Sequence, residues 1–215
     1  FKKALDGGFA IECDVNLTKD LIPVVFHDIH MHRLCGIDKR IDDLTFDELK
    51  NLSLHGTQEH IPSLHELLTL VDGKVPLLIE LKPKGDVMTL CETVHHLLKD
   101  YHGTYAIFSF HPKVVYWFKK HATHVVRGQI AESFRDDHSM PRIVKYMMRT
   151  MLFNVFTKPD FISYGIRDLP YKKLDRLKKK GLSIISFTAR DEASLEFVKS
   201  RYDNVVFEHF TPRKK

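Results

Sequence analysis

Short apolar runs rich in β-branched residues alternate with amphipathic helical stretches along almost the whole chain, and this alternation limits the fold more than any single motif. The strand-like runs are "IECDV", "VPLLIELK", "TYAIFSF", "HVVRGQIA", "FISYG", "LSIISFT" and "NVVFEHF". Between them lie helical patterns near Val87 to Leu98, in "PKVVYWFKKH", from about Pro141 to Phe153, in "PYKKLDRLKKKG" and in "DEASLEFVKS". Strands joined through helices run parallel, because the helix carries the chain back before the next strand begins. Two further helices open at capping-box spacings, Thr45 with Glu48 and Ser63 with Glu66. A short extended excursion covers Val24 to Phe26.

About seven main strands are counted in this way, one fewer than a closed barrel of eight parallel strands requires. "FKKALDGG" has helical spacing and ends in a glycine pair, so it reads as the last turns of a helix. The expected fold is therefore an α/β TIM (β/α)8 barrel lacking strand 1 and the start of helix 1, with residues 1–215 as its single, N-terminally incomplete domain. An open doubly wound sheet would carry an early glycine-rich phosphate loop, and no such loop is found.

The 43% hydrophobic content of the 215 residues supplies a core of the needed size, and the net charge of +5 suits an enzyme drawing in anionic small molecules as well as a nucleic-acid binder. The lysines at 172, 173 and 178–180 sit in a helical context without interleaved aromatic residues, so they read as a solvated outer face, and no nucleic-acid partner is expected. No apolar run approaches the roughly 18 residues of a membrane span, which argues against stable membrane insertion. Cys13, Cys35 and Cys91 are too few and too scattered for a disulfide framework, so a reducing, cytoplasmic location is expected. The Met- and Phe-rich segment Tyr146 to Phe156 is assigned to core packing, with an apolar surface for a dimer partner or a membrane as the alternative; the oligomeric state stays open.

The chemistry concentrates at strand ends. Glu12 and Asp14 are two apart in an extended run, so their side chains share a face, while Cys13 points the other way into packing. "VPLLIELK" ends on Glu80 and Lys82 with the same spacing. Neighbouring strands lie about 4.8 Å apart, so three carboxylates can converge on one rim. Such a cluster repels itself unless a cation sits within it, and a donor set of hard oxygens suits Mg²⁺ or Ca²⁺. The alternative is that each acid pairs with a nearby Lys or Arg.

The ordered set "GFAIECDVNLTKDLIPVVFHD", "DDLTFDELKNL", "HIPSLHELLTLV" and "LLIELK" resembles the glycerophosphodiester phosphodiesterase family, and "SFHP", "GLSIISFTARD" and "NVVFEHF" extend the likeness more weakly. The resemblance implies a metal-dependent hydrolase of glycerol and lipid metabolism, a phosphodiesterase that cuts small-molecule glycerophosphodiesters to an alcohol and glycerol 3-phosphate. It implies Glu12, Asp14 and Glu80 as metal ligands, His27 as a catalytic acid or base and Lys82 as a phosphate-binding group. Asp28 is expected to orient its loop. His30 and His32 are set aside in favour of His27, which directly follows an apolar strand.

Two departures stand out. The family's H-R-G motif, which carries the partner histidine, does not occur in residues 1–215; the expectation is that this sequence is part of a longer protein, with a degenerate relative as the alternative, and that without that segment it has little activity. Where the family often has W-T, this chain reads Phe187-Thr188, so Phe187 is assigned to the apolar wall around the substrate. Glu208 and His209 lie where the family commonly has an acid; they, His111 and Gln129 are left as solvated strand ends, with a role at the rim as the alternative. Alternatives to the hydrolase are a barrel phospholipase acting on lipid head groups, which would need an exposed apolar rim, and a non-catalytic phosphate-binding module.

Overall fold

The computed structural model describes residues 1–137 and 140–213. Its strands are β1 (Ile11–Leu17), β2 (Pro23–Val25), β3 (Leu77–Leu81), β4 (Tyr105–Ser109), β5 (Val126–Ala131), β6 (Phe161–Gly165), β7 (Ser183–Ala189) and β8 (Asn204–Phe207). The α-helices are α1 (Lys2–Gly7), α2 (His32–Cys35), α3 (Phe46–Leu49), α4 (Leu64–Val71), α5 (Val87–Leu98), α6 (Pro112–His121), α7 (Arg142–Arg149), α8 (Asn154–Thr157), α9 (Lys172–Lys179) and α10 (Glu192–Lys199).

The strands form one mixed sheet in the order β2-β1-β3-β4-β5-β6-β7-β8. β2 pairs with β1 antiparallel, and the other pairings are parallel. The expected excursion at Val24 is thus a true strand that turns back on β1, with Val25 opposite Val15. The sheet is rolled: the Phe9 ring, just before β1, meets the Phe207 ring at the end of β8 edge-on at 5.2 Å. This curled sheet with its outer helices is the α/β architecture the alternation predicts.

Side-chain alternation sorts each strand into two environments. Ile11, Cys13 and Val15 of β1 and Leu77, Ile79 and Leu81 of β3 face outward and bury against Leu64 and Leu67 of α4 and Leu90 and Val94 of α5. The opposite faces point inward, where Phe108, Ile130 and Phe161 form a plug flanked by Leu78, Ala106, Phe110, Ile185 and Phe187. Gly128 makes the plug possible: a Cβ there would lie 2.2 Å from the Phe161 ring, closer than packed atoms can approach.

Two expectations change between β5 and β6. The helix predicted from about Pro141 to Phe153 ends at Arg149, and a further short helix, α8, follows from Asn154, because Met151 takes a left-handed φ of 55° and its side chain buries in the cluster around Ile162, Tyr164 and Leu174. Core packing is also corrected for much of Tyr146 to Phe156. Met151 and Thr157 are buried, but Tyr146, Leu152, Val155 and Phe156 are exposed. No helix among the described residues is long and apolar enough to cross a membrane.

Candidate active site at the carboxyl ends of the strands

The parallel register sets Asp14 opposite Glu80, with Glu12 two residues earlier on the same inward face of β1. Carboxylate oxygens of Glu12, Asp14 and Glu80 all lie within 4.8 Å of one another, the separation of donors that share one ion. Burial, reinforced by the neighbouring Asp14 carboxylate and opposed by Lys82, pushes the Glu12 carboxyl up to about 8. The Glu80 carboxyl is pushed up to about 8 by burial as well, against the pull of Lys82 and with the help of Asp14 and Glu12. Charge there is costly without compensation, and Lys82 supplies part of it: Nζ lies 2.9 Å from Asp14 and 4.0 Å from Glu80. Hard oxygen donors, two of them carrying protons that a divalent ion would displace, fit Mg²⁺ or Ca²⁺.

Lys82 Nζ also donates to the His27 carbonyl oxygen at 3.4 Å, which ties the loop after β2 to the end of β3. His27 Nδ1 lies 2.6 Å from Asp28 Oδ1. Arg33, from the first turn of α2, holds the same carboxylate through Nε at 2.6 Å and Nη2 at 2.8 Å. The guanidinium, with His27 as a second partner, holds the Asp28 carboxyl down at about 2. Asp28 thereby engages Nδ1 of the imidazole from one side.

His27, Asp28, Arg33, Glu80 and Lys82 line a cavity of about 1150 Å³. Phe110, Phe134, Met148 and Phe153 supply its apolar lining. Phe187 reaches it indirectly, packing edge-on against Phe110 with ring centroids 6.0 Å apart. His30 and His32, set aside on sequence grounds, also line the cavity, and so does His111. His111 caps α6 by accepting from the Lys113 amide at 3.3 Å, and burial lowers its basicity. Glu208 pairs with Arg190 at 2.7 Å, yet its charge still raises the Glu12 carboxyl, so the end of β8 reaches the acidic cluster electrostatically. Gln129 is not the solvated strand end expected of it: it is buried, and its Nε2 donates to the Ser109 and Phe110 carbonyl oxygens.

Comparison with known proteins gives the same family as the motifs. A glycerophosphodiester phosphodiesterase of Caldanaerobacter subterraneus is 25% identical over 221 residues, covering 96% of this chain and 85% of that protein. Glycerophosphodiester phosphodiesterase 1 of Rattus norvegicus is 22% identical, and the match spans 86% of this chain but 64% of the rat protein's length. Among solved structures, an Oleispira antarctica phosphodiesterase in complex with the product sn-glycerol-3-phosphate superimposes with a TM-score of 0.81 at 22% identity, over 95% of this chain and 83% of that one. The model of the glycerophosphoryl diester phosphodiesterase family matches residues 1–209, and the chain belongs to that family.

Proposed function

We propose that this protein hydrolyses glycerophosphodiesters to an alcohol and glycerol 3-phosphate, with a divalent cation, Mg²⁺ or Ca²⁺, held by Glu12, Asp14 and Glu80. The observation that carries this reading is the convergence of three carboxylates within 4.8 Å beside Lys82, one of which, Glu80, lines with Lys82 the cavity that also holds His27. We read residues 1–215 as one unit of this kind, and the three unpaired cysteines support a cytoplasmic setting.

A cation held by Glu12, Asp14 and Glu80 would supply positive charge against the negative charge that builds on the phosphate oxygens in the transition state. Lys82 donates N–H hydrogen bonds to those same oxygens, exchanging its contact with Asp14 for the substrate. His27, with Nδ1 fixed by Asp28, uses Nε2 to take the proton of the attacking oxygen, which belongs either to water or to the substrate's own neighbouring hydroxyl, whose cyclic phosphate a water then opens, and to return a proton to the departing alkoxide. One P–O bond forms to the attacking oxygen and one breaks to the alcohol. Phe187, through Phe110, forms part of the apolar wall beside the reacting diester.

The test is release of glycerol 3-phosphate from glycerophosphocholine with and without Mg²⁺ or Ca²⁺, for residues 1–215 and for the chain preceded by a strand bearing an H-R-G segment. Glu80→Gln should lose cation binding, measured by titration calorimetry, together with all turnover. His27→Ala should keep cation binding while turnover falls about 10²- to 10⁴-fold. Cation and diester binding without turnover in either version would transfer the protein to the non-catalytic phosphate-binding alternative.

A further inference from the structure

The exposed surface beside the cavity has a composition that the hydrolytic reading does not use. Helix α7 buries none of its residues. Ile143 is 65% exposed, Tyr146 59%, Val155 72% and Phe156 67%, an apolar face that folding leaves in water. The charge around it has one sign. The sequence contains no Asp or Glu between Asp137 and Asp160, where Arg142, Lys145, Arg149 and Lys158 fall, and none between Asp100 and Glu132, where Lys113, Lys119 and Lys120 fall.

The two stretches form one face. Lys119 Nζ donates to the Phe156 carbonyl oxygen, joining α6 to α8. The Lys119 and Lys120 ammonium groups lie 5.6 and 5.8 Å from the centre of the Tyr116 ring, which is itself exposed. This face is continuous with the cavity mouth: Lys113, Tyr116, Val144 and Phe156 line the same space as Glu80 and Lys82.

The chemistry selects the occupant. A second copy meeting this face about a two-fold axis would set cation against cation. An anionic lipid surface offers phosphate charge above an apolar layer, the complement of exposed aromatic and aliphatic side chains ringed by Lys and Arg. We propose that α6, α7 and α8 form a docking face for an anionic lipid surface, which holds the mouth of the cavity at the interface. Docking requires no turnover, so it stands apart from the hydrolytic reading.

The test is vesicle flotation of the full chain, using phosphatidylcholine alone or mixed with phosphatidylglycerol, at low and high salt. Binding should favour the mixed vesicles about tenfold or more and weaken with salt. Ile143→Asp with Val155→Asp, two side chains outside the cavity lining, should reduce vesicle binding about tenfold or more, with the thermal midpoint and glycerophosphocholine turnover unchanged. Arg142→Glu with Arg149→Glu should erase the preference for anionic vesicles. Absence of vesicle binding, or binding that both variants leave intact, would overturn the proposal. A concentration-dependent dimer in sedimentation that Ile143→Asp with Val155→Asp dissolves would assign the face to a second copy instead.

Discussion

Glu12 and Glu80 are ordinary residues in an unusual place, and burial gives them a testable pH signature. In the folded chain without cation both carboxyls are pushed from 4.5 to about 8, so between those values the native state holds more protons than the unfolded state. Their contribution to stability is present at low pH and is lost as the pH rises through that window. Thermal melts in the presence of a chelator should therefore show a midpoint that declines from about pH 5 to about pH 8, and Glu12→Gln with Glu80→Gln should flatten the decline. Added Mg²⁺ or Ca²⁺ should raise the midpoint at the upper end and release protons as it binds. The carboxylate cluster was legible in the sequence because period-two spacing on two runs, joined by a parallel register, leaves few arrangements. Arg33 was not legible. Its bidentate hold on Asp28 depends on a four-residue helix that places the guanidinium back over the loop, and nothing in the local pattern marks that turn. His30 and His32 were discounted by their surroundings in sequence, whereas the same turn sets them on the cavity wall.

At the scale of elements, local chemistry was the reliable guide where it was strong. Ser63 Oγ accepts from the Glu66 amide at 3.1 Å, and Glu66 Oε2 accepts from the Ser63 amide at 2.7 Å, so the capping box starts α4 where the spacing placed it. Ser63 also bridges Val24 of β2, which ties the helix start to the strand that leads into His27. Ser63→Ala should cost about 1 kcal/mol in urea unfolding, with unchanged cation binding, because the loss falls on the cap and not on the cluster. A far smaller loss would mean that water replaces the serine hydroxyl there. The α7–α8 break escaped sequence reading for the opposite reason. Met151 adopts its left-handed backbone because burying its side chain against Ile162 and Tyr164 favours it, a tertiary cause that no local residue preference announces.

For the molecule as a whole, alternation of strands and helices conveyed the parallel sheet, while the antiparallel return of β2 depended on a turn too short to read. The sheet order leaves β8 paired on one side, with β7, whereas β4 is held by β3 and β5. Amide hydrogen exchange followed by mass spectrometry should show β4 as the more protected and β8 as the faster-exchanging strand; equal protection would mean that another segment covers the β8 edge. The division of labour along the chain has a wider consequence. The acidic cluster, Lys82 and His27 all come from the first 82 residues, while the apolar lining of the cavity draws on Phe134, Met148 and Phe153 and the cationic face on residues 113–158. On the two readings proposed above, reaction and address belong to separate stretches of one polypeptide. On those readings, exchange of the stretch between β4 and β6 would redirect where such a protein works, while the residues assigned to the ester's cleavage stay as they are.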